Sequence, residues 1–278
     1  MTETLLDILT SAAILYVVAA GLMIVFGVMK IINFSHGAFI TIGGYSALAV
    51  TRLGWNPWLS LLFATIVGMA CGLIIEKLVV KPLYSRPLDA ILATWGLGII
   101  IGQVITIIFG REVQFVQSPM SGSIDFLGAS YSSYRLVLVV AATVIGVSLA
   151  MILQGTRLGL MTRAVIMNEA LAEALGINST LVRLVTFSLG AALASMAGAL
   201  ITPLSSVDPN MGVPWLVNAF MLVLVSGVSF VSLLLAAILL GGAQVLVSTF
   251  ISPVLGGLTI VVLAAVLLRI RPQGLSRA

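Results

Sequence analysis

Asn33, Ser35 and His36 lie within one short polar stretch, Lys30-Ile31-Ile32-Asn33-Phe34-Ser35-His36-Gly37, set between two apolar runs. Their side chains offer donors and acceptors that suit amide, urea or carboxylate groups. His36 is the only histidine, and a lone imidazole without partner ligands makes no metal site. Non-helical backbone at membrane depth is tolerated only where protein buries it or where it lines a watered cavity. Two readings follow, and they are compatible: the three side chains line a path for a small polar solute, or they cap helix ends and satisfy freed backbone. Gln103 and Asn218 sit inside other apolar runs, where interhelical hydrogen bonding is the default and path lining the alternative. Ser226 and Ser229 flank a second interruption, Ser226-Gly227-Val228-Ser229, at a roughly corresponding place in the other half. Paired interruptions of this kind mark inverted repeats around a central pathway.

The elements that must hold these residues are membrane spans. The 278-residue chain is 60% hydrophobic and 8% charged. That is far too apolar for a soluble domain, and the continuous runs exclude the alternation of a membrane β-barrel. The expected fold is all-α: one transmembrane domain over residues 1–278, a polytopic bundle of about eight to nine membrane segments, some discontinuous or re-entrant. Runs are expected at about 5–29, 37–50 (short), 59–80, 90–109, 136–153 and 184–204, with breaks near 226–229 and 252–253 dividing the rest. Residues 110–134 form an outer loop, and Asp208-Pro209-Asn210 a short one. Lys77, Lys81, Arg86, Arg157, Arg163, Arg183, Arg269, Arg271 and Arg277 cluster in two loops and the C-terminal segment, which the positive-inside rule places in the cytoplasm. Adjacent Glu76 and Lys77 read as an anchor at a membrane end. Gly68 with Gly72, and Gly190 with Ala194 and Gly198, form small-residue ladders for close helix packing. The net charge of +4 gives no reason to expect a nucleic-acid partner; lipid is the surroundings. The single cysteine, Cys71, has no partner for an intrachain disulfide, and the N-terminus lacks the pattern of a removed signal peptide.

The cytoplasmic loop, 154–182, favours a short helix from Asn168 to Leu175, slim through Ala170, Ala172 and Ala174, with Glu169 and Glu173 on one face and Gly176 to stop it. Such a helix suits a groove on a soluble partner. Together with Phe26-Gly27-Val28-Met29, Ile32 to Gly37, Leu92-Ala93-Thr94-Trp95-Gly96, Thr156-Arg157-Leu158-Gly159, Arg163-Ala164, Phe187 with Ala197-Gly198, and Arg271-Pro272-Gln273-Gly274-Leu275, this loop resembles the permeases of branched-chain amino acid ABC importers, a group that includes urea and short-chain amide permeases. The resemblance implies an inner-membrane subunit paired with a second permease, more often a paralogue than an identical copy. It implies two cytoplasmic ATPases, which bind ATP and magnesium, and a periplasmic binding protein that delivers solute. It implies that Arg157, Arg163, Asn168, Glu169, Ala170, Glu173 and Gly176 belong to the coupling segment.

The Leu92–Gly96 stretch and Asp208-Pro209-Asn210 look closer to the urea and amide branch. Two departures stand out: Ala38 where the family usually has an acidic residue, and Ser226–Ser229 where it usually has Gly-Gly-x-Gly. A missing carboxylate there points to a less cationic solute. Two other classes remain. A stand-alone channel or secondary carrier would need no ATPase, but coupled carriers usually show intramembrane carboxylates, which are nearly absent here. An intramembrane enzyme lacks a nucleophile motif. With no phosphate-binding Gly-x-x-x-x-Gly-Lys loop, the chain carries no cofactor of its own.

Overall fold

The computed structural model describes residues 2–126 and 129–275; Arg277 lies outside them. Eleven helices are present among the described residues: α1 (Thr2–Met29), α2 (His36–Arg52), α3 (Leu59–Ile75), α4 (Pro87–Phe109), α5 (Ser133–Gly155), α6 (Arg157–Met167), α7 (Glu169–Ala174), α8 (Ser179–Ile201), α9 (Gly212–Ser226), α10 (Phe230–Phe250) and α11 (Pro253–Ile270). A π turn over Glu76–Val80 and a 3-10 turn over Lys81–Leu83 prolong α3. Among the described residues there is one two-stranded sheet, β1 (Ser123–Phe126) antiparallel to β2 (Ala129–Ser132), with Ser123 opposite Ser132.

Among the described residues, seven helices are long and apolar enough to cross a membrane: α1, α3 with its extension, α4, α5, α8, α10 and α11. Two further passages combine a non-helical stretch with a short helix, 31–35 with α2 and 202–211 with α9. The resulting nine passages bring the basic residues of α6, the α3–α4 turn and the end of α11 to the same end as α7, which is therefore cytoplasmic.

Two helices form the centre. α1 is buried almost throughout from Thr10 onward. α8 touches α1, α2 and α3, and its small residues explain how. A Cβ on Gly190 would strike α1 at Gly21 and Val25, and one on Gly68 or Gly72 of α3 would strike α8 at Ser195, Ala191 or Ser188. The ladders therefore act as close-packing seams, where backbone approach gains dispersion contact that lipid cannot match. Ser195 Oγ adds a hydrogen bond to the Phe39 carbonyl of α2 at 2.8 Å.

On the outer side, the Tyr131 hydroxyl of β2 donates to Asp7 of α1 at 3.0 Å, and Arg135 pairs with the same carboxylate. These contacts tie the outer loop to the start of the chain.

Glu76 does not act as a membrane-surface anchor. It is 1% exposed and accepts a hydrogen bond from the Tyr84 hydroxyl, while Lys77 alone reaches outward. Burial, and then the bond to Glu76, push the Tyr84 hydroxyl far above its ordinary pKa, so it remains a protonated donor.

Candidate functional site

α1 ends where Lys30 turns the chain with a positive φ of 54°, its N–H bonded to the Phe26 carbonyl. The chain then climbs back without helix along α1. Asn33 Oδ1 accepts from the Ser35 N–H at 3.1 Å and from the Ser35 hydroxyl at 2.6 Å. His36 Nε2 donates to the Val18 carbonyl at 2.9 Å, close to the middle of α1. So α2 begins half-way through the bundle and runs to the outer end, where Arg52 and Tyr45 both pack on Phe109. α9 has the complementary course. It begins at Gly212 beside the start of α2 and runs to the cytoplasmic end, where the Val225 carbonyl accepts from the Leu275 N–H.

The two starts touch. A Cβ on Gly37 would lie 2.9 Å from the Gly212 carbonyl oxygen. Thr41 of α2 joins them, accepting from the Gly212 N–H at 3.2 Å and donating to the Gly37 carbonyl at 3.3 Å. Each helix N-terminus carries partial positive charge and orphan N–H groups.

Beside this junction lies a cavity of about 280 Å³, walled by Phe34, Gly37, Ala38 and Thr41, by Trp95, Gly98, Ile99 and Gly102 of α4, and by Pro209, Asn210, Val213, Leu216 and Val217. Phe34 and Trp95 stack at 5.4 Å between centroids, and the Phe34 N–H donates to Thr94 at 3.2 Å. The N–H groups of Gly37 and Ala38 have no acceptor among the described residues. Gly37 and Ala38 thus border the cavity at a positive helix end, beside the Asn210 amide, the Thr41 hydroxyl and an aromatic wall, with no carboxylate among the lining residues. A helix start suits a carbonyl or carboxylate oxygen, while the acceptors beside the cavity are neutral oxygens, the Phe34 and Pro209 carbonyls and the Asn210 amide, with no countercharge for an ammonium group. A larger groove of about 350 Å³ between α1, α5 and α10 has only Tyr16 and Thr143 as polar side chains on its walls, so it lacks the donors a polar solute needs.

The structure separates the residues singled out from the sequence. Asn33, Ser35 and His36 are buried and build the break; their neighbours Phe34, Gly37 and Ala38 face the cavity. Gln103 is exposed on α4, next to the cavity residue Gly102, and Asn218 is half-buried next to Val217. Ser226 is fully buried at the cytoplasmic end of α9, and Ser229 caps α10 through the Ser232 N–H at 3.4 Å. A Cβ on Gly27, near the cytoplasmic end of α1, would meet Val228. Hence Ser226–Ser229 is not the counterpart of the 33–37 break. That place belongs to Asp208–Met211, which folds back into the bundle: Asp208 accepts from the Asn210 N–H at 2.8 Å, and α9 follows. Expected to be a short outer loop, this segment is the second half-break.

In the cytoplasmic segment, Arg157 and Arg163 are exposed on α6 with no ion pair among the described residues. Asn168 caps α7 through the Leu171 N–H at 3.0 Å. Both acids of α7 reach α8: Glu169 pairs with Arg183 and Glu173 accepts from Ser179. Around α7 the large exposed side chains are apolar, with Met167 at the end of α6 85%, Leu171 58% and Leu175 just past α7 73% exposed beside Ala170, and Glu173 is exposed as well. Gly176 ends α7 with φ +86°, its N–H bonded to the Glu173 carbonyl and the Ile177 N–H to Ala172. This is the two-bond helix stop that needs a left-handed residue. Gly176→Val meets no neighbour within 4 Å but forces a β-branched residue into that conformation, at about 1–2 kcal/mol or more. Membrane insertion is expected to persist while added protease cuts the α7 segment severalfold faster, as read from vesicles with matched protein content.

The family model described as "Branched-chain amino acid transport system / permease component" matches residues 4–270. The chain belongs to that family. The permease is 27% identical to the high-affinity branched-chain amino acid transport system permease protein LivH of Salmonella typhimurium, covering 93% of this chain and 89% of the relative. It is 28% identical to BraD of Pseudomonas aeruginosa, covering 98% and 94%, and 27% identical to the galactofuranose transporter permease protein YtfT of Escherichia coli, covering 80% and 63%. Among solved structures, a chain of PsaBC from Streptococcus pneumoniae in complex with Fab superposes with TM-score 0.54 at 13% identity, covering 97% of the permease and 92% of that chain, a likeness of fold alone. The permease is a multi-pass inner-membrane transport component and not an enzyme.

Proposed function

We propose that the permease moves a small polar nitrogenous solute inward through the α2–α4–α9 cavity, driven by ATPases that dock on α7. Its working partners are a second permease, more often a paralogue than an identical copy, two cytoplasmic ATPases that hold ATP and magnesium, and a periplasmic binding protein. The observation that carries this reading is the pair of acceptor-less N–H groups of Gly37 and Ala38, at a helix start facing a cavity without charged walls. A short amide or urea can give its carbonyl oxygen to those donors and rest its flat face on Phe34 and Trp95. A zwitterionic amino acid would find only neutral oxygens for its ammonium there, with no countercharge to offset its desolvation. The family model and the relatives named for branched-chain amino acids span nearly all of the permease, whereas the relative named for galactofuranose spans 80% of it, so overall similarity favours the amino-acid branch and the uncharged cavity is what argues for an amide or urea. Asn33, Ser35 and His36 hold the break open, while Gln103 and Asn218 flank the cavity walls. Ser226 and Ser229 sit at the exit end.

Competition for uptake in right-side-out vesicles tests the solute class. Acetamide or urea is expected to be taken up, ATP-dependently, in preference to leucine. ATP-independent uptake by the permease alone would instead mark a channel or secondary carrier. Ala38→Asp adds a carboxylate in the first turn of α2, where the helix dipole favours it. The leucine-to-acetamide uptake ratio is expected to rise about tenfold; an unchanged ratio would remove Ala38 from solute selection.

A further inference from the structure

At the cytoplasmic end four side chains form a connected row that the cavity chemistry leaves unused. Glu169, on α7, pairs with Arg183 of α8. The Arg183 guanidinium lies over the Tyr84 ring, 4.3 Å from its centroid. The Tyr84 hydroxyl donates to the carboxylate of Glu76, which opens the π turn after α3. Arg183 Nε has no acceptor among the described residues, and the head group is held by Glu169 on one side and the ring on the other.

The helix that follows Tyr84 is placed to move. α4 starts at Pro87, three positions later, and only Ala90, Thr94 and Ile105 of its residues are buried. A hydrogen bond joins it to the first half-break at Phe34–Thr94, and at its outer end Phe109 only rests against the Tyr45 and Arg52 side chains, contacts that can slide. Its Trp95, Gly98 and Gly102 wall the cavity. At its root lie a π turn and a 3-10 turn in succession, geometries that mark hinges inside helices.

We propose that Glu169, Arg183, Tyr84 and Glu76 act as a strut that carries displacement of α7 into the root of α4, and so into the cavity wall. Tyr84 and Glu76 are positioning residues in this device, which rests on α7 being the ATPase contact. A shift of α7 pulls Arg183 through its ion pair, Arg183 drags or releases the Tyr84 ring, and α4 tilts about the Thr94 region. The route bypasses the tightly packed middle of α8, where glycine and serine contacts leave no room to slide.

The test uses the complete importer, purified through a tag on this permease from its native host and reconstituted in liposomes. Three quantities are read: ATP hydrolysis, radiolabelled solute moved per ATP, and an electron-spin distance between Ile107→Cys on α4 and Val147→Cys on α5, in a Cys71→Ser background. Both label sites are exposed. Tyr84→Phe keeps the ring under Arg183 and removes only the hydroxyl. It is expected to leave assembly and ATP hydrolysis near native while lowering solute moved per ATP about fivefold. Glu76→Gln is expected to match it, and the double variant to be no worse than either, because both break one link. ATP with vanadate is expected to change the α4–α5 distance in the native chain and to change it much less in Tyr84→Phe. Native transport per ATP in both single variants, or losses that multiply in the double variant, would overturn the strut. Leu171→Glu separates the underlying reading: ATPases that stay bound and coupled despite a charge on the exposed face of α7 would refute that helix as their contact.

Discussion

Gly98→Phe is expected to stop uptake, lowering it by about 100-fold, equivalent to about 2.7 kcal/mol on the transport step. Gly98 faces the cavity from α4, and the first atom a Cβ there would meet is the Phe34 carbonyl oxygen at 3.8 Å, an ordinary contact. A benzyl group therefore enters the 280 Å³ space without disturbing the helix that carries it. Because α4 packs loosely, assembly with partner subunits and nucleotide hydrolysis are expected to persist, and the loss falls on solute passage. Gly98→Ala is the control and is expected to transport nearly as the native chain does. Equal uptake by the phenylalanine variant would place the passage elsewhere.

Gly198→Val is expected to fail at an earlier stage. A Cβ at this position of α8 would overlap the Ile40 carbonyl of α2 and lie 3.1 Å from the Gly44 N–H nitrogen, both backbone atoms that cannot turn aside. Separating α2 from α8 would also break the Ser195 bond to Phe39 and loosen the half-helix that carries Gly37 and Thr41. Overpacking of this kind costs about 3 kcal/mol or more. The variant is expected to yield little monodisperse protein in mild detergent, with a lower thermal midpoint for the fraction that survives. Gly155→Val provides the contrast, since a Cβ there meets nothing within 4 Å. A Gly198→Val protein as stable as the native one would mean that α2 and α8 are farther apart than the structure places them.

The architecture was legible because apolar length and charge placement report it directly. The runs at 5–29, 90–109 and 136–153 correspond to α1, α4 and α5, and the basic loop residues share the cytoplasmic end. The first half-break was legible as well, since Lys30–Ser35 is polar between apolar runs. The second was missed because Asp208-Pro209-Asn210 has the composition of any surface turn; that it dips inward depends on Gly212 meeting Gly37. The fifteen-residue length of α9 carried the signal, being about 22 Å and too short to cross. Of the site, the sequence pointed to Asn33, Ser35 and His36, which bond inside the protein, His36 through Nε2 alone among the described residues. It could not single out Gly98 and Gly102, because a glycine that leaves room for a solute reads the same as one that admits a neighbouring helix. Ala38 emerged only through the family resemblance. Glu76 looked like an anchor because its partner Tyr84 reaches it through the turn that follows, which no helical spacing reveals.

The most direct test of a solute passage between α2, α4 and α9 is thiol labelling of Gly98→Cys, in a Cys71→Ser background, within the complete importer in native membranes. A charged, water-soluble methanethiosulfonate is expected to modify Gly98→Cys during ATP turnover, with urea or acetamide slowing the reaction. A thiol that reacts only with lipid-soluble reagents, at a rate indifferent to urea, acetamide and leucine alike, would contradict it.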